Sequence, residues 1–184
     1  MNDEARIVFT RYAIPCSGTI IERGKMTREQ VDRLTELVTD GRAPEDGVER
    51  MYPVADAMCK LVARQMGKSE IDAEVVREYF LIRHSAVVDE RYELMRDFDP
   101  NECRTYPGKV VAVNDGQAIV ETSRGRRAYK TVLARDVGPN DLVSVHFDFV
   151  VERITEQMAE RMRKVASNEK GAKGHNTRNL SRSI

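Results

Sequence analysis

The thiol of Cys103 and the imidazole of His146, both in the carboxyl-terminal half of this sequence, have the chemistry of transition-metal ligands. A thiolate is a strong, soft ligand for iron, and nearby cations make it available at neutral pH by lowering the thiol pKa from ~8.5. Arg104 and Lys109 are the candidates for that effect. A neutral imidazole on a strand can bind iron or hydrogen-bond one of its ligands. The plainer explanations are a half-buried cysteine at a domain junction and a packing histidine.

The remaining thiols and imidazoles are weaker candidates for a site. Cys16 lies in a short segment with proline and glycine, and it becomes a second ligand only if the amino-terminal segment folds over the carboxyl-terminal half. Cys59 has the helical spacing of a core residue. His84 is predicted to be a surface or inter-domain residue, and His175 belongs to the tail. Three widely spaced cysteines provide neither a disulfide framework nor a four-cysteine zinc site within one chain.

Residues 1–100 are predicted to form a mostly helical domain. A capping-box pattern at Thr27 starts one helix, and a second helix has Pro53 in its first turn. A third helical pattern runs over residues 72–98. Ahead of these helices, residues 6–21 are rich in β-favouring side chains and predict a short strand–turn element. Three amphipathic helices can enclose a small core together.

The hydrophobic period changes after this domain, where short β-branched runs alternate with turn residues. Four strands are predicted, over residues 110–113, 118–122, 128–133 and 142–151. Val143, Val145, Phe147 and Phe149 are expected on one face of the last strand, with His146 on the other. Asp115-Gly116 predicts a tight hairpin turn between the first two strands. Strands this close together favour a small OB-like barrel, which a helix over residues 154–165 follows.

The predicted fold class is therefore α+β, with a helical domain, a small barrel with a carboxyl-terminal helix, and a disordered basic tail. The boundaries are 1–100, 101–166 and 167–184. Thirty basic and thirty acidic residues cancel, which removes any whole-protein argument for attraction to nucleic acid or membranes. The absence of a secretory signal and of an apolar run of ~20 residues predicts a cytoplasmic location. No Ser-His-Asp, phosphate-loop or paired-carboxylate motif stands out, so we do not expect an enzyme.

Residues 103–110 and 140–149 connect this sequence to a known family. The first segment reads Cys-Arg-Thr-Tyr-Pro-Gly-Lys-Val and the second reads Asn-Asp-Leu-Val-Ser-Val-His-Phe-Asp-Phe. Together they resemble the HypC/HupF family of hydrogenase-maturation chaperones. The corresponding family motifs read Met-Cys-Leu-Ala-Ile-Pro-Gly-Lys-Val and approximately Gly-Asp-Tyr-Val-Leu-Val-His-Ala-Gly-Phe. The resemblance covers approximately residues 102–163 and leaves the helical domain as an addition.

The resemblance implies an OB-like barrel that carries an iron centre bearing cyanide and carbon monoxide, Fe(CN)2CO. The implied partners are a HypD-like scaffold protein and the large subunit of a nickel–iron hydrogenase or a related metalloenzyme. Cys103 and His146 would be the iron ligands. Pro107, Gly108 and Lys109 would belong to the segment that binds cargo and partner.

This sequence departs from the family pattern in two ways, and both bear on the identity of the client protein. The family cysteine becomes the first residue after removal of methionine and has a free α-amine, whereas Cys103 lies far inside this chain and has only an amide. The glycine after the family histidine is Asp148 here. These differences favour a different client or a divergent relative.

An OB-like module that binds single-stranded nucleic acid is the alternative function. The arginines at positions 124, 126 and 127, together with the basic tail, would contact phosphates. Aromatic side chains, on which bases stack, are few, since the chain has no tryptophan and 6% aromatic residues. Nucleic acid is therefore not the expected partner. A purely structural adaptor, which binds neither iron nor nucleic acid, is a third possibility.

Overall fold

The computed structural model describes the backbone over residues 1–92 and 99–176 and the side chains over residues 1–89 and 99–167. It confirms the α+β fold class, with helices first, then a closed barrel and a last helix. The helices are α1 (Asp3–Ala13), α2 (Ser17–Glu22), α3 (Arg28–Thr39), α4 (Pro53–Gln65), α5 (Ala73–Arg77), α6 (His84–Tyr92), α7 (Pro100–Cys103) and α8 (Glu156–Asn176). The strands are β1 (Thr105–Asn114), β2 (Gln117–Thr122), β3 (Gly125–Lys130), β4 (Leu142–His146) and β5 (Phe149–Arg153). Within these described ranges, no helix combines the length and apolar character that a membrane span requires.

The amino-terminal segment is helical, so the strand–turn element predicted over residues 6–21 is wrong. The Asn2 side chain accepts a hydrogen bond from the Ala5 N–H at 2.9 Å and caps α1. The buried residues Ala5, Val8, Phe9 and Tyr12 recur at helical spacing. The β-favouring composition of the segment misled the prediction, because this apolar period decides which face is buried. A 3₁₀ turn, Ile14–Cys16, then joins α1 to α2.

The next helices follow the predicted pattern. Thr27 caps α3 in a capping box with Gln30, and Pro53 occupies the first position of α4. The third predicted helix continues from α5 through a π-helical segment, Glu78–Arg83, into α6. Residues 93–98 of that prediction lie outside the described residues.

Five strands close into a barrel in the order β1-β2-β3-β5-β4, with β4 returning to β1. All pairings are antiparallel except the short β3–β5 contact. Asp115 and Gly116 both have positive φ angles, of 44° and 75°, in the predicted hairpin turn between β1 and β2. The barrel interior is filled by a cluster that includes Val110, Val120 and Val143.

The single strand predicted over residues 142–151 is instead a hairpin of β4 and β5. Phe147 has a φ of 52° and reverses the chain, so that Phe149 pairs back with His146. Phe147 and Phe149 therefore do not lie on the face of the sheet that carries Val143 and Val145. His146 does point to the opposite face of β4 from Val145, as predicted. β3 also begins earlier than predicted and ends at Lys130.

The helices pack against the outer face of β4 and β5. The Tyr12 hydroxyl donates to Glu152 at 2.7 Å and lies 2.9 Å from the Ser144 hydroxyl. Arg77 donates to both Glu152 carboxylate oxygens, at distances from 3.1 to 3.2 Å. The helical core also includes apolar side chains from the carboxyl-terminal part, among them Val151. The outer face of this hairpin is thus covered by helices.

The last helix, α8, continues past residue 167 to Asn176. The tail predicted from residue 167 thus overlaps the end of this helix over residues 167–176. The remainder of the predicted tail, residues 177–184, lies outside the described residues. Met162 of α8 packs into the core formed by the amino-terminal helices, so the start of α8 is fixed by packing.

Candidate functional site

Four side chains suited to metal binding converge where the helices meet the barrel. Cys16, His84, Cys103 and His146 each offer one ligand atom, and these atoms all lie within 4.8 Å of one another. Cys16 ends the 3₁₀ turn after α1, His84 begins α6, Cys103 ends α7 and His146 ends β4. The cluster therefore depends on the tertiary fold, and no short sequence motif contains it.

His146 is held by the backbone of the helical part. Its Nδ1 lies 3.0 Å from the carbonyl oxygen of Tyr12, in the last turn of α1, where carbonyls lack donors from within the helix. Because a carbonyl only accepts, Nδ1 carries a proton and donates it to this bond. Nε2 then faces the sulfur atoms and lies 3.6 Å from Cys16 Sγ. A hydrogen bond of this kind fixes the ring of a metal-binding histidine and leaves its other nitrogen available.

His84 is buried at the boundary between the helices and the barrel, which is one of the two predicted locations, and it does not lie at the surface. It is 5% exposed, and its ring lies 5.1 Å from that of His146, measured between centroids. It forms a hydrogen bond with the Cys103 side chain, whereas its Nδ1 is buried and has no hydrogen-bond partner. Burial is the main cause that lowers the pKa of His84, so the ring is neutral at physiological pH.

Cys103 occupies a position that α7 and its contacts define. Asp99 caps this short helix through the Asn101 N–H at 2.9 Å, and Glu102 forms ion pairs with Arg124 and Arg127 of the β2–β3 hairpin. Cys103 itself is 5% exposed. The backbone around the thiol is thus fixed by a cap and by ion pairs to the barrel.

The Cys103 thiol has a strongly lowered pKa. Hydrogen bonding with Cys16 is the largest cause, and hydrogen bonding with His84 adds to it, against the opposing effect of burial. The same contact with Cys103, together with burial, raises the pKa of Cys16. The pair therefore holds one proton on Cys16 and a thiolate on Cys103.

The cations predicted to activate Cys103 are not the cause of this shift. Arg104 forms an ion pair with Asp89 of α6. Lys109 is exposed on β1, whereas Cys103 lies before that strand, at the end of α7. That part of the prediction is wrong. The residues that follow Cys103 in sequence are not the groups that the fold places beside its sulfur atom.

A cavity of about 510 Å³ gives the cluster access to solvent. Cys16, His84 and Cys103 are among its lining residues, and so are the exposed side chains of Arg23 and Lys25. Although Cys103 is almost fully buried, its thiol is thus reachable through the cavity and lies beside the imidazole of His146.

Alkylation at different pH values tests the thiolate directly. In the metal-free protein, Cys103 is expected to react with iodoacetamide already at about pH 6, because a thiol with a lowered pKa stays ionised there. Cys59 is a built-in control, since burial in α4 raises its pKa to about 12 and it should not react. Peptide mass spectrometry measures both. Labelling of Cys103 that begins only near ~8.5, the ordinary thiol pKa, would contradict the assignment.

The match to a family of known proteins comes from the part of the chain that carries Cys103 and His146. The family model of the HupF/HypC family matches residues 103–166, from the cysteine into α8. This segment is similar to that family, and we refer to residues 103–166 as the HupF/HypC domain. The family is one of hydrogenase-maturation chaperones. No curated protein matches the chain.

The other predicted binding residues of the HupF/HypC domain lie outside the cluster. Pro107, Gly108 and Lys109 follow Cys103 on β1, between β2 and β4. A Cβ atom at Gly108 would lie 2.5 Å from Val120 Cγ1 and 2.9 Å from Thr122 Cγ2. The glycine is therefore explained by close packing of β1 on β2.

This packing gives a testable expectation for stability. Gly108→Ala should lower the free energy of unfolding by ~1–3 kcal/mol, because the added methyl group overpacks a buried β-branched neighbour. Gly138→Ala is the matched control, since a methyl group added there would have no atom within 4 Å and the φ of Gly138 is unstrained. Urea unfolding of both variants measures the difference. Equal stabilities would contradict the packing explanation for Gly108.

Two members of the cluster, Cys16 and His84, lie outside the HupF/HypC domain, in the amino-terminal helical part. For Cys16 a structural role was favoured, with a role as second ligand only if the amino-terminal segment folds over the barrel, and the fold places it in the cluster. His84 was missed, although it is four residues from both Phe80 and Val88, which are buried on the same helix. That spacing was the available signal. Cys59 is a core residue as predicted, and the side chain of His175 lies outside those described.

Proposed function

We propose that this chain is a hydrogenase-maturation chaperone that carries an iron centre bearing cyanide and carbon monoxide, held through Cys103. The observation that supports this proposal most is the lowered pKa of the Cys103 thiol together with its position beside the cavity. Cys103 is the first residue matched to the HupF/HypC family, has a strongly lowered pKa and borders a cavity that reaches the surface. A thiolate binds iron without first having to release a proton.

His146 is the proposed second protein ligand. Nε2 of its ring faces the sulfur atoms, while the Tyr12 carbonyl holds the ring from the other side. Because Cys103 has an amide in place of a free α-amine, a further ligand has to come from a side chain. Pro107, Gly108 and Lys109 then belong to the adjoining strand on which a partner is proposed to dock.

The proposed partners are a HypD-like scaffold protein, from which the cargo is received, and the large subunit of a nickel–iron hydrogenase or related metalloenzyme. The chain acts in this scheme as a carrier and not as an enzyme. The cavity beside Cys103 provides space for the diatomic ligands of the iron.

Binding of single-stranded nucleic acid has little support from the hairpin that suggested it. Arg124 and Arg127 form ion pairs with Glu102, and Arg126 forms one with Glu121. These carboxylates neutralise the charges that would contact phosphates. The carrier function therefore explains the described features better.

Affinity capture tests the partner assignment. A tagged chain, purified without oxygen from cells that produce a nickel–iron hydrogenase and its maturation proteins, should retain the scaffold protein after a nuclease wash. Recovery of single-stranded RNA in a salt-dependent manner, with no scaffold protein, would favour the alternative and overturn the proposal. Recovery of neither would also contradict it and would leave the structural adaptor.

A further inference from the structure

We propose that the helical part and the barrel together form a four-ligand site for a bare divalent transition-metal ion, bound by Cys16, His84, Cys103 and His146. The ligand class is a borderline-soft first-row ion such as Zn²⁺ or Fe²⁺. This inference goes beyond the proposed function, because it concerns an ion without diatomic ligands and assigns a metal-binding role to two residues of the helical part.

The donor set is the first argument. Two sulfurs and two imidazole nitrogens form a typical tetrahedral set for zinc and are suited to related ions. No carboxylate belongs to the cluster, whose four members are all cysteine or histidine. Hard ions such as Mg²⁺ and Ca²⁺ prefer oxygen and are therefore disfavoured.

The distances are the second argument. A tetrahedral ion ~2.0–2.3 Å from each ligand atom holds those atoms ~3–4 Å apart. Cys16 Sγ and His146 Nε2 already have such a separation, at 3.6 Å, and no pair in the cluster exceeds 4.8 Å. Contraction by side-chain movement of roughly an ångström therefore closes the site around an ion.

The polar groups around the cluster are the third argument. The ring of His146 has the carbonyl partner that metal-binding histidines usually have on their second nitrogen. Nδ1 of His84 is buried and without a hydrogen-bond partner, which is uncommon for a polar atom in a protein interior. Coordination of an ion by the imidazole of His84 gives a reason to keep this polar ring among Tyr79, Phe80 and Val88.

The position of the ligands has a structural consequence. Cys16 and His84 come from the helices, and Cys103 and His146 come from the HupF/HypC domain. An ion bound to all four therefore connects the two parts of the chain and stabilises their contact, because it binds the folded arrangement only. Since the ion uses Cys103, it excludes the proposed iron cargo while it is bound.

Cobalt titration of the metal-free full chain tests this site without maturation proteins. Co²⁺ should produce the intense visible bands of a tetrahedral complex and near-ultraviolet thiolate charge-transfer bands. Cys16→Ser should lose about half of the charge-transfer intensity, because one of two sulfurs is removed, and His84→Gln should weaken binding by at least ~10-fold. Cys59→Ser, which removes a thiol outside the cluster, should retain the wild-type spectrum and affinity.

Weak octahedral bands in the wild-type protein, or unchanged binding in both Cys16→Ser and His84→Gln, would overturn the four-ligand site. X-ray absorption of the zinc-loaded wild-type protein does not depend on whether the variants fold. It should show two sulfur and two nitrogen atoms bound to the zinc ion. Any other set of directly bound atoms would contradict the proposal. Failure here leaves the iron-carrier function intact, since that function requires Cys103, His146 and a partner but neither Cys16 nor His84.

Discussion

Replacement of Cys103 by alanine is expected to abolish iron loading and hydrogenase maturation while the fold is retained. The sulfur is the proposed anchor of the cargo, and loss of a direct ligand should weaken iron binding by more than the ~10–100-fold seen for outer-shell partners. The fold should survive because the substitution removes one buried atom at the edge of a cavity. Iron content after anaerobic purification with the maturation partners, and hydrogenase activity in the same cells, measure the effect.

Cys59→Ala is the matched control for this experiment. Cys59 is also a buried free thiol, but it lies in α4 and outside the cluster. Its replacement should leave iron content and maturation at the wild-type level, and circular dichroism should show native helix content in both variants. Unchanged iron content in Cys103→Ala would refute the role given to this residue.

Glu152→Ala is expected to lower the free energy of unfolding by about 2–3 kcal/mol, because it removes a buried carboxylate that accepts several hydrogen bonds, although its partner Arg77 is 34% exposed. The Glu152 side chain is 10% exposed and accepts hydrogen bonds from Arg77 and from the Tyr12 hydroxyl. Its loss leaves the Tyr12 hydroxyl without that acceptor and Arg77 without its main partner at the contact between helices and barrel. Urea denaturation followed by circular dichroism measures the change.

Glu121→Ala provides the comparison, since Glu121 pairs with Arg126 on the surface. Both side chains of that pair are more than half exposed, at 52% and 63%, so the expected loss is ~0–1 kcal/mol. Similar losses for Glu121→Ala and Glu152→Ala would show that the buried network does not hold the two parts together. Because Tyr12 also holds His146 through its carbonyl, Glu152→Ala should additionally weaken cobalt binding.

Local signals in the sequence were sufficient for most of the helices and for the hairpin turn. The Thr27 capping box, Pro53 at a helix start and the Asp115-Gly116 turn each involve neighbours a few residues apart. Such patterns act through short-range hydrogen bonds and backbone preferences, which are independent of the rest of the fold. The α+β class followed from them.

The errors arose where packing overrides composition. The amino-terminal segment is β-favouring by residue type, yet its apolar residues repeat at helical spacing and pack as α1. The strand predicted over residues 142–151 bends at Phe147, whose positive φ is uncommon for a residue of this size. Nothing in residue type alone indicated that turn.

The candidate site was predictable only in part. Cys103 and His146 were identified together through the family motifs, which the barrel pairs across β1 and β4. His84 was assigned to a surface or domain boundary because a lone histidine on a helix carries no chemical pattern. Its role became visible only when the fold brought Cys16, Cys103 and His146 around it. Likewise, the groups that lower the pKa of Cys103 are distant in sequence and close in space.

Infrared spectroscopy tests the carrier function most directly. The wild-type chain, purified without oxygen from cells that also produce the maturation partners, should show cyanide and carbonyl stretching bands that are missing from Cys103→Ala. Bands of equal intensity in the variant would place the cargo elsewhere. Their absence from the wild-type protein, in a preparation whose scaffold protein does show them, would contradict the proposal that this chain receives the iron centre.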